Sequence, residues 1–222
     1  MELADLLGIS TGVTAVIGGG GKTTLLRMLG ESLCARGRVL LCTTTKIYPF
    51  PGIPLARSAS ELAVLRECSL VCAGTVLPES GKLTALPVPF SRLASEFDYV
   101  LTEADGAAGH PLKAHASHEP VIPPGAGRVI TVVGASGFGR AVSEAAHRPE
   151  RYAALCGASL TDPVTPALAA AVLRAEGLPG SVYVNQVEDA VSLAAARALA
   201  AALGKPVLAG SLHLGVWQRL EP

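Results

Sequence analysis

Thr14-Ala15-Val16-Ile17-Gly18-Gly19-Gly20-Gly21-Lys22-Thr23-Thr24 is the stretch that decides the fold of this chain. An apolar run stops at four glycines, and Lys-Thr-Thr follows. Leu25, Leu26, Leu29 and Leu33 then recur at helical spacing. The pattern predicts a strand, a tight loop and a helix start. Glycines let the backbone turn so that successive N–H groups point at one anion. The helix beginning near Lys22 adds its positive end. Lys22 is placed to reach outer phosphates, and the Thr23 hydroxyl, with Thr24 beside it, to meet Mg²⁺. The commoner form of this loop has a glycine five residues before its Gly-Lys pair. Here Val16 holds that position and reads as strand, so the loop is short. A Gly-rich strand-to-helix turn that binds nothing is the bland reading of the same residues.

Composition bounds what surrounds this stretch. The 222 residues predict one domain spanning 1–222, with a small hairpin insertion around 75–86. Half the residues are hydrophobic but only 4% are aromatic, so the core is aliphatic. Net charge is zero and no segment is a basic run, which disfavours nucleic acid as the main partner. No apolar stretch is long enough to span a bilayer. The residues before Thr14 include Glu2 and Asp5 and lack an apolar signal core. The five cysteines show no zinc spacing and are odd in number, as expected of reduced thiols in a cytoplasmic protein.

Strands and helices alternate along the chain. Met1 to Leu7 suggests a lead-in helix, Val13–Ile17 the first strand, and a helix running to Arg36-Gly37. Val39–Thr43 is continuously apolar, as a strand buried on both faces should be. It runs into Thr43-Thr44-Thr45-Lys46, at the strand end where open α/β sheets bind ligands. Thr45 and Lys46 there are candidates for a second contact with nucleotide or metal, or equally a strand end with a solvated lysine. Three prolines break the chain over 49–54. A short helix from Ala59, capped by Ser58 or Ser60, a strand at Leu70–Ala73 and a helix near Ser91–Ser95 follow.

Asp98-Tyr99-Val100-Leu101-Thr102-Glu103-Ala104-Asp105-Gly106 is the second chemical stretch. An apolar strand delivers two carboxylates and then a glycine. A strand ending in acid is what a phosphate loop needs to complete its Mg²⁺ site. Glu103 and Asp105, two apart in a regular strand, point the same way. One would hold metal while the other orients a water or substrate.

The long Pro-rich segment 106–124 suggests a functional loop. His110, His115 and His118 fit no standard ligand spacing, and Lys113 is the better candidate there, as a cation for phosphate or an anionic substrate. Another strand, Arg128–Val133, leads to Gly134-Ala135-Ser136-Gly137-Phe138-Gly139-Arg140, which reads as a phosphate loop or a flap. Arg148, at a helix start, is a candidate phosphate clamp or a surface residue. Pro206–Ala209 reads as the last strand, with Trp217 packed on the body. Before it, Val182–Val184 ends in Asn185-Gln186-Val187-Glu188-Asp189. That is similar to the Asn-Lys-x-Asp with which guanine-specific phosphate-loop proteins read the base. Gln stands for Lys and Glu for Asp, and Asp189 competes for the role. The alternative is a loop and helix cap, with Asp189 as the capping acid.

Gly-Gly-Gly-Lys-Thr-Thr, Thr-Thr-Thr-Lys-Ile, Glu-Ala-Asp-Gly-Ala, Pro-Leu-Lys-Ala, His-Glu-Pro-Val-Ile-Pro, His-Arg-Pro-Glu and Val-Asn-Gln-Val occur in this order. Together, over essentially the whole chain, they resemble the YqeC family, described as accessory proteins of selenium-dependent molybdenum hydroxylases. The resemblance implies a P-loop nucleotide-binding protein acting near the maturation of such an enzyme. One departure stands out: Gly134-Ala135-Ser136 replaces the Gly-Leu-Asp expected after the Val129–Val133 strand.

The expectation is therefore a three-layer α/β, P-loop NTPase-like domain with a mostly parallel sheet and right-handed crossovers. It binds ATP or GTP with Mg²⁺ through Gly18, Gly19, Gly20, Gly21, Lys22, Thr23, Thr24 and Asn185, and hydrolyses the nucleotide or transfers its γ-phosphoryl group with Lys22, Glu103 and Asp105. Its partner is a molybdenum hydroxylase or that enzyme's cofactor-maturation proteins. A small-molecule kinase, supported by the polar loop after Gly106, and a nucleotide-dependent interaction switch are the alternatives.

Overall fold

Helix and strand alternate as the hydrophobic pattern predicts. The computed structural model describes residues 2–222; Met1 of the expected lead-in lies outside the described residues. In chain order the elements are α1 (Leu3–Leu6), β1 (Gly12–Gly18), α2 (Lys22–Leu33), β2 (Val39–Thr43), β3 (Leu55–Ala56), α3 (Ala59–Val64) and β4 (Leu70–Ala73). Then come β5 (Thr75–Val76), β6 (Leu83–Thr84), α4 (Phe90–Glu96), β7 (Tyr99–Glu103), β8 (Leu112–Lys113) and β9 (Ala126–Gly134). A 3₁₀ turn (Ala135–Gly137) leads to α5 (Val142–Ala145), β10 (Ala146–His147), α6 (Pro149–Cys156), α7 (Pro166–Glu176), β11 (Ser181–Asn185), α8 (Ala190–Leu203), β12 (Val207–Ser211) and β13 (Val216–Leu220).

The chain divides into two compact units. The first holds the described residues through Ile17, Thr23–Gly106 and Glu119–Val129. Its strands run parallel in the order β1-β7-β2-β4-β3. β2 is buried at every residue. Successive strand side chains face opposite sides, so both sheet faces are covered there. Val13, Leu40, Leu62, Leu93, Phe97 and Val100 belong to its aliphatic core. Ser58 is the residue that caps α3, accepting from the Glu61 amide at 3.2 Å. β5 and β6 form the expected hairpin, Thr75 opposite Thr84.

The second unit holds Gly18–Lys22, Ala107–His118 and Ile130–Pro222. Parallel pairing runs from β9 through β11 to β12, and β13 closes the edge antiparallel. β12 is buried throughout, and Val133, Tyr152, Val172, Val184, Leu199 and Ala209 pack together. Thr165 and Asp189 cap α7 and α8; the latter is a capping box with Ser192.

Three expectations need correction. β12 is not the last strand. Val216–Leu220 pairs along it, with Trp217 opposite Gly210. Only Leu220 of β13 is buried, so this edge strand has neither an apolar run nor a clean alternation to reveal it. The Pro-rich segment after Gly106, expected as one long loop, contains a short strand, because Leu112 and Lys113 pair in parallel with Ala146 and His147. And β7 ends at Glu103, leaving Asp105 in the bend beyond, so the strand argument for a shared direction stops at Glu103.

Burial also sets thiol chemistry in the first unit. It pushes the Cys42 thiol up to about 12 and the Cys72 thiol up to about 11. Thiolate is the reactive form, so both are inert at neutral pH. An aromatic disulfide reagent should titrate Cys34, Cys68 and Cys156 in the native protein and reach the other two only on unfolding. Native labelling of Cys42 at the rate of Cys34 would contradict this packing.

Candidate functional site

In the second unit, the glycine loop is shaped by backbone contacts. Gly18 and Gly20 have φ of +94° and +83°, where L side chains are strained. A Cβ on Gly18 would collide with the Val132 carbonyl, and one on Gly20 with the backbone of Gly134. The Gly19 amide donates to the Val132 carbonyl at 2.9 Å, and the Gly20 amide to the His110 carbonyl at 3.1 Å. These two amides hold the loop's shape. Those in the first turn of α2, which begins at Lys22, have no acceptor within the helix. Lys22 is buried, and its Nζ donates to the Gly18 carbonyl at 2.8 Å. Asn185, at the end of β11, donates from Nδ2 to the Gly20 carbonyl at 2.7 Å. Its Oδ1 accepts from the Leu212 amide at 3.1 Å.

Three more of the second unit's sequence candidates can be placed. Lys113 is buried on β8 and lines a cavity of about 20 Å³ with His115, Thr131, Tyr152 and Glu176. That is room for about one water. His115 is fixed there by Glu176: its amide donates to Oε1 at 2.6 Å, and its Nδ1 lies 2.9 Å from Oε2. Arg148 takes a left-handed backbone (φ 63°) before α6, with Nη1 3.4 Å from the Ala114 carbonyl.

In the first unit, β7 delivers Glu103 between β1 and β2: its register partners are Val16 and Thr43. The Thr23 hydroxyl donates to Glu103 Oε2 at 2.7 Å. Thr43, which sequence reasoning passed over in favour of Thr45, donates from Oγ1 to the Glu103 carbonyl at 2.9 Å and accepts from the Thr45 amide at 2.9 Å. The Thr44 amide donates to that same carbonyl at 3.0 Å. Asp105 is fully buried just beyond. Thr24 and Lys46 are exposed. The strand-end acid and the phosphate-loop threonine, 80 residues apart, are thus in direct contact. A hydroxyl and a carboxylate are hard oxygen donors, the set that suits Mg²⁺ with its retained waters.

Strand, glycine loop and Lys-Thr-Thr helix start define an α/β protein of P-loop type. The chain belongs to the YqeC family: the family model described as YqeC protein matches residues 14–150. It is 38% identical over 156 residues to the Escherichia coli (strain K12) protein described as "Uncharacterized protein YqeC". That match covers 65% of this chain and spans 60% of the relative's length. Among solved structures it is similar to the signal recognition particle 54 kDa protein from Aeropyrum pernix K1 in complex with GDP. The TM-score is 0.42 and the identity 15%, over 98% of this chain and 48% of that one. No described helix is long and apolar enough to cross a membrane.

Proposed function

We propose that this chain binds a nucleoside triphosphate, ATP or GTP, with Mg²⁺ and hydrolyses it, as an accessory factor for a selenium-dependent molybdenum hydroxylase. The contact between the Thr23 hydroxyl and Glu103 Oε2 carries the nucleotide reading. A threonine directly after a Gly-Lys pair and an acid at a buried strand end are the two groups that hold Mg²⁺ in phosphate-loop proteins, and an ordinary strand-to-helix turn has no reason to bring them together. In this reading Gly18, Gly19, Gly20 and Gly21 shape the loop. Lys22 and the first-turn amides of α2 bind phosphate. Thr23 and Glu103 hold Mg²⁺, and Asp105 orients the attacking water. The metal, when bound, neutralises charge on the phosphates. The client enzyme rests on the family resemblance alone.

Steady-state turnover, measured with and without a purified molybdenum hydroxylase, tests the proposal. Slow phosphate release that rises with the client is expected. Binding without turnover in either condition would make the chain a switch, and a phosphorylated small product would make it a kinase.

A further inference from the structure

We infer that the cleft past the carboxyl ends of β9 and β11 is a guanine site and that Glu188 reads the base. This rests on the phosphate-loop reading above and adds the identity of the nucleotide to it.

An open cleft of about 440 Å³ lies in the second unit, with Ser136, Phe138, Gln186, Glu188, Asp189 and Val191 among its lining residues. It sits past the carboxyl ends of β9 and β11, the side on which open α/β sheets take ligands. Its two acids differ in what already occupies them. Asp189 Oδ1 accepts from the Ser192 amide and hydroxyl, both at 2.7 Å, and so closes the α8 cap. Those bonds hold its carboxyl below the usual range. Glu188 takes no part in the cap through its side chain. Its Oε1 accepts from the hydroxyl of Ser211 at 2.7 Å, a residue with no exposure at the end of β12. A carboxylate has about four acceptor positions, and this bond uses one while fixing the group's position. Glu188 itself is exposed.

The same short segment ties this carboxylate to the phosphate loop. Asn185 donates to the Gly20 carbonyl, and Glu188 follows three residues later, a span of at most about 10 Å of chain. Between them Gln186 takes a left-handed backbone, φ 64°, unusual for a residue with a side chain. Such outliers cluster at ligand sites. Gln186 Oε1 accepts from Ser136 Oγ at 2.7 Å, joining the β11 end of the cleft to the turn after β9. Val191, on the cleft wall, is 78% exposed, an apolar surface that a ring would cover.

A carboxylate in this position selects by donor pattern. Guanine carries N1–H and N2–H₂ side by side, one donor for each carboxylate oxygen. Adenine carries one donor group next to the N1 lone pair, which faces the negative charge. Xanthine keeps N1–H but has an oxygen at position 2. It therefore needs an amide, whose carbonyl accepts from N1–H and whose NH₂ donates to that oxygen.

Calorimetric titration of the full chain with GDP, ADP and xanthosine diphosphate tests this, on the natural protein and on Glu188→Gln. The natural protein should prefer GDP over ADP by roughly 10- to 150-fold, the range for a charge-assisted pair. Glu188→Gln should lose a similar factor for GDP and gain affinity for the xanthine nucleotide, a gain that misfolding cannot produce. Ser211→Ala, which frees Glu188, should narrow the GDP preference with ADP affinity unchanged, and it decides the matter if Glu188→Gln does not fold. Equal binding of GDP and ADP, or GDP affinity unchanged in both variants, overturns the guanine site and leaves the phosphate loop standing. Binding of none of the three nucleotides overturns both.

Discussion

With Lys22→Ala, affinity for Mg-ATP or Mg-GTP is expected to fall by about 10- to 150-fold while the chain remains folded. The side chain is buried, and its ammonium sits 2.8 Å from the carbonyl of Gly18, at the start of the loop it serves. A phosphate oxygen carries more negative charge than a carbonyl, so the same cation serves it better. A hydrogen bond of this charge-assisted kind contributes about 1.5–3 kcal/mol, which gives the stated factor. The loop does not depend on Lys22 alone for its shape, because Gly19, Gly20 and Asn185 hold it through backbone carbonyls. Lost nucleotide affinity with an unchanged melting temperature is therefore the expected pair of results. An unaltered calorimetric affinity in the folded variant would remove the glycine loop from the nucleotide site.

Glu103→Gln is expected to act on turnover more than on binding. The amide keeps the size of the side chain and an oxygen that can still accept from the Thr23 hydroxyl. What it loses is the charge that a divalent cation requires. Nucleotide should still bind, the Mg²⁺ concentration for half-maximal turnover should rise, and the maximal rate should fall by roughly 10²–10³-fold, the range for loss of one group that stabilises developing charge. Asp105→Asn should lower the rate with a smaller change in Mg²⁺ dependence, because Asp105 lies in the bend past the strand whose last residue contacts Thr23. Both variants turning over nucleotide normally, at normal Mg²⁺, would reduce Glu103 and Asp105 to the polar end of a buried strand.

By sequence, Asn185-Gln186-Val187-Glu188-Asp189 fits both base recognition and a helix cap. The structure divides the segment: Asp189 takes the cap, and Glu188 is held apart from it by Ser211. The Pro-rich segment after Gly106, read as a loop able to meet a substrate, is pinned by β8, by the His110 carbonyl on Gly20 and by the buried His115–Glu176 pair.

The sequence by itself determined what depends on near neighbours. An apolar run, four glycines and Lys-Thr-Thr specify strand, turn and helix because φ/ψ freedom and hydrophobic period act over a few residues. The β2 and β7 strands, the hairpin of β5 and β6, and the Asp189 cap were legible for the same reason. Only the tertiary structure decided what depends on contacts between distant residues. Thr23 meets Glu103 across 80 residues, Asn185 meets Gly20 across 165, and Ser211 meets Glu188 across 23. Nothing local in a serine at a strand end, or in a glutamate beside a better capping acid, encodes that pairing. β13 was hidden likewise, because an edge strand with most of its side chains in solvent is held by the backbone hydrogen bonds of its neighbour, and those leave no mark in its own residues.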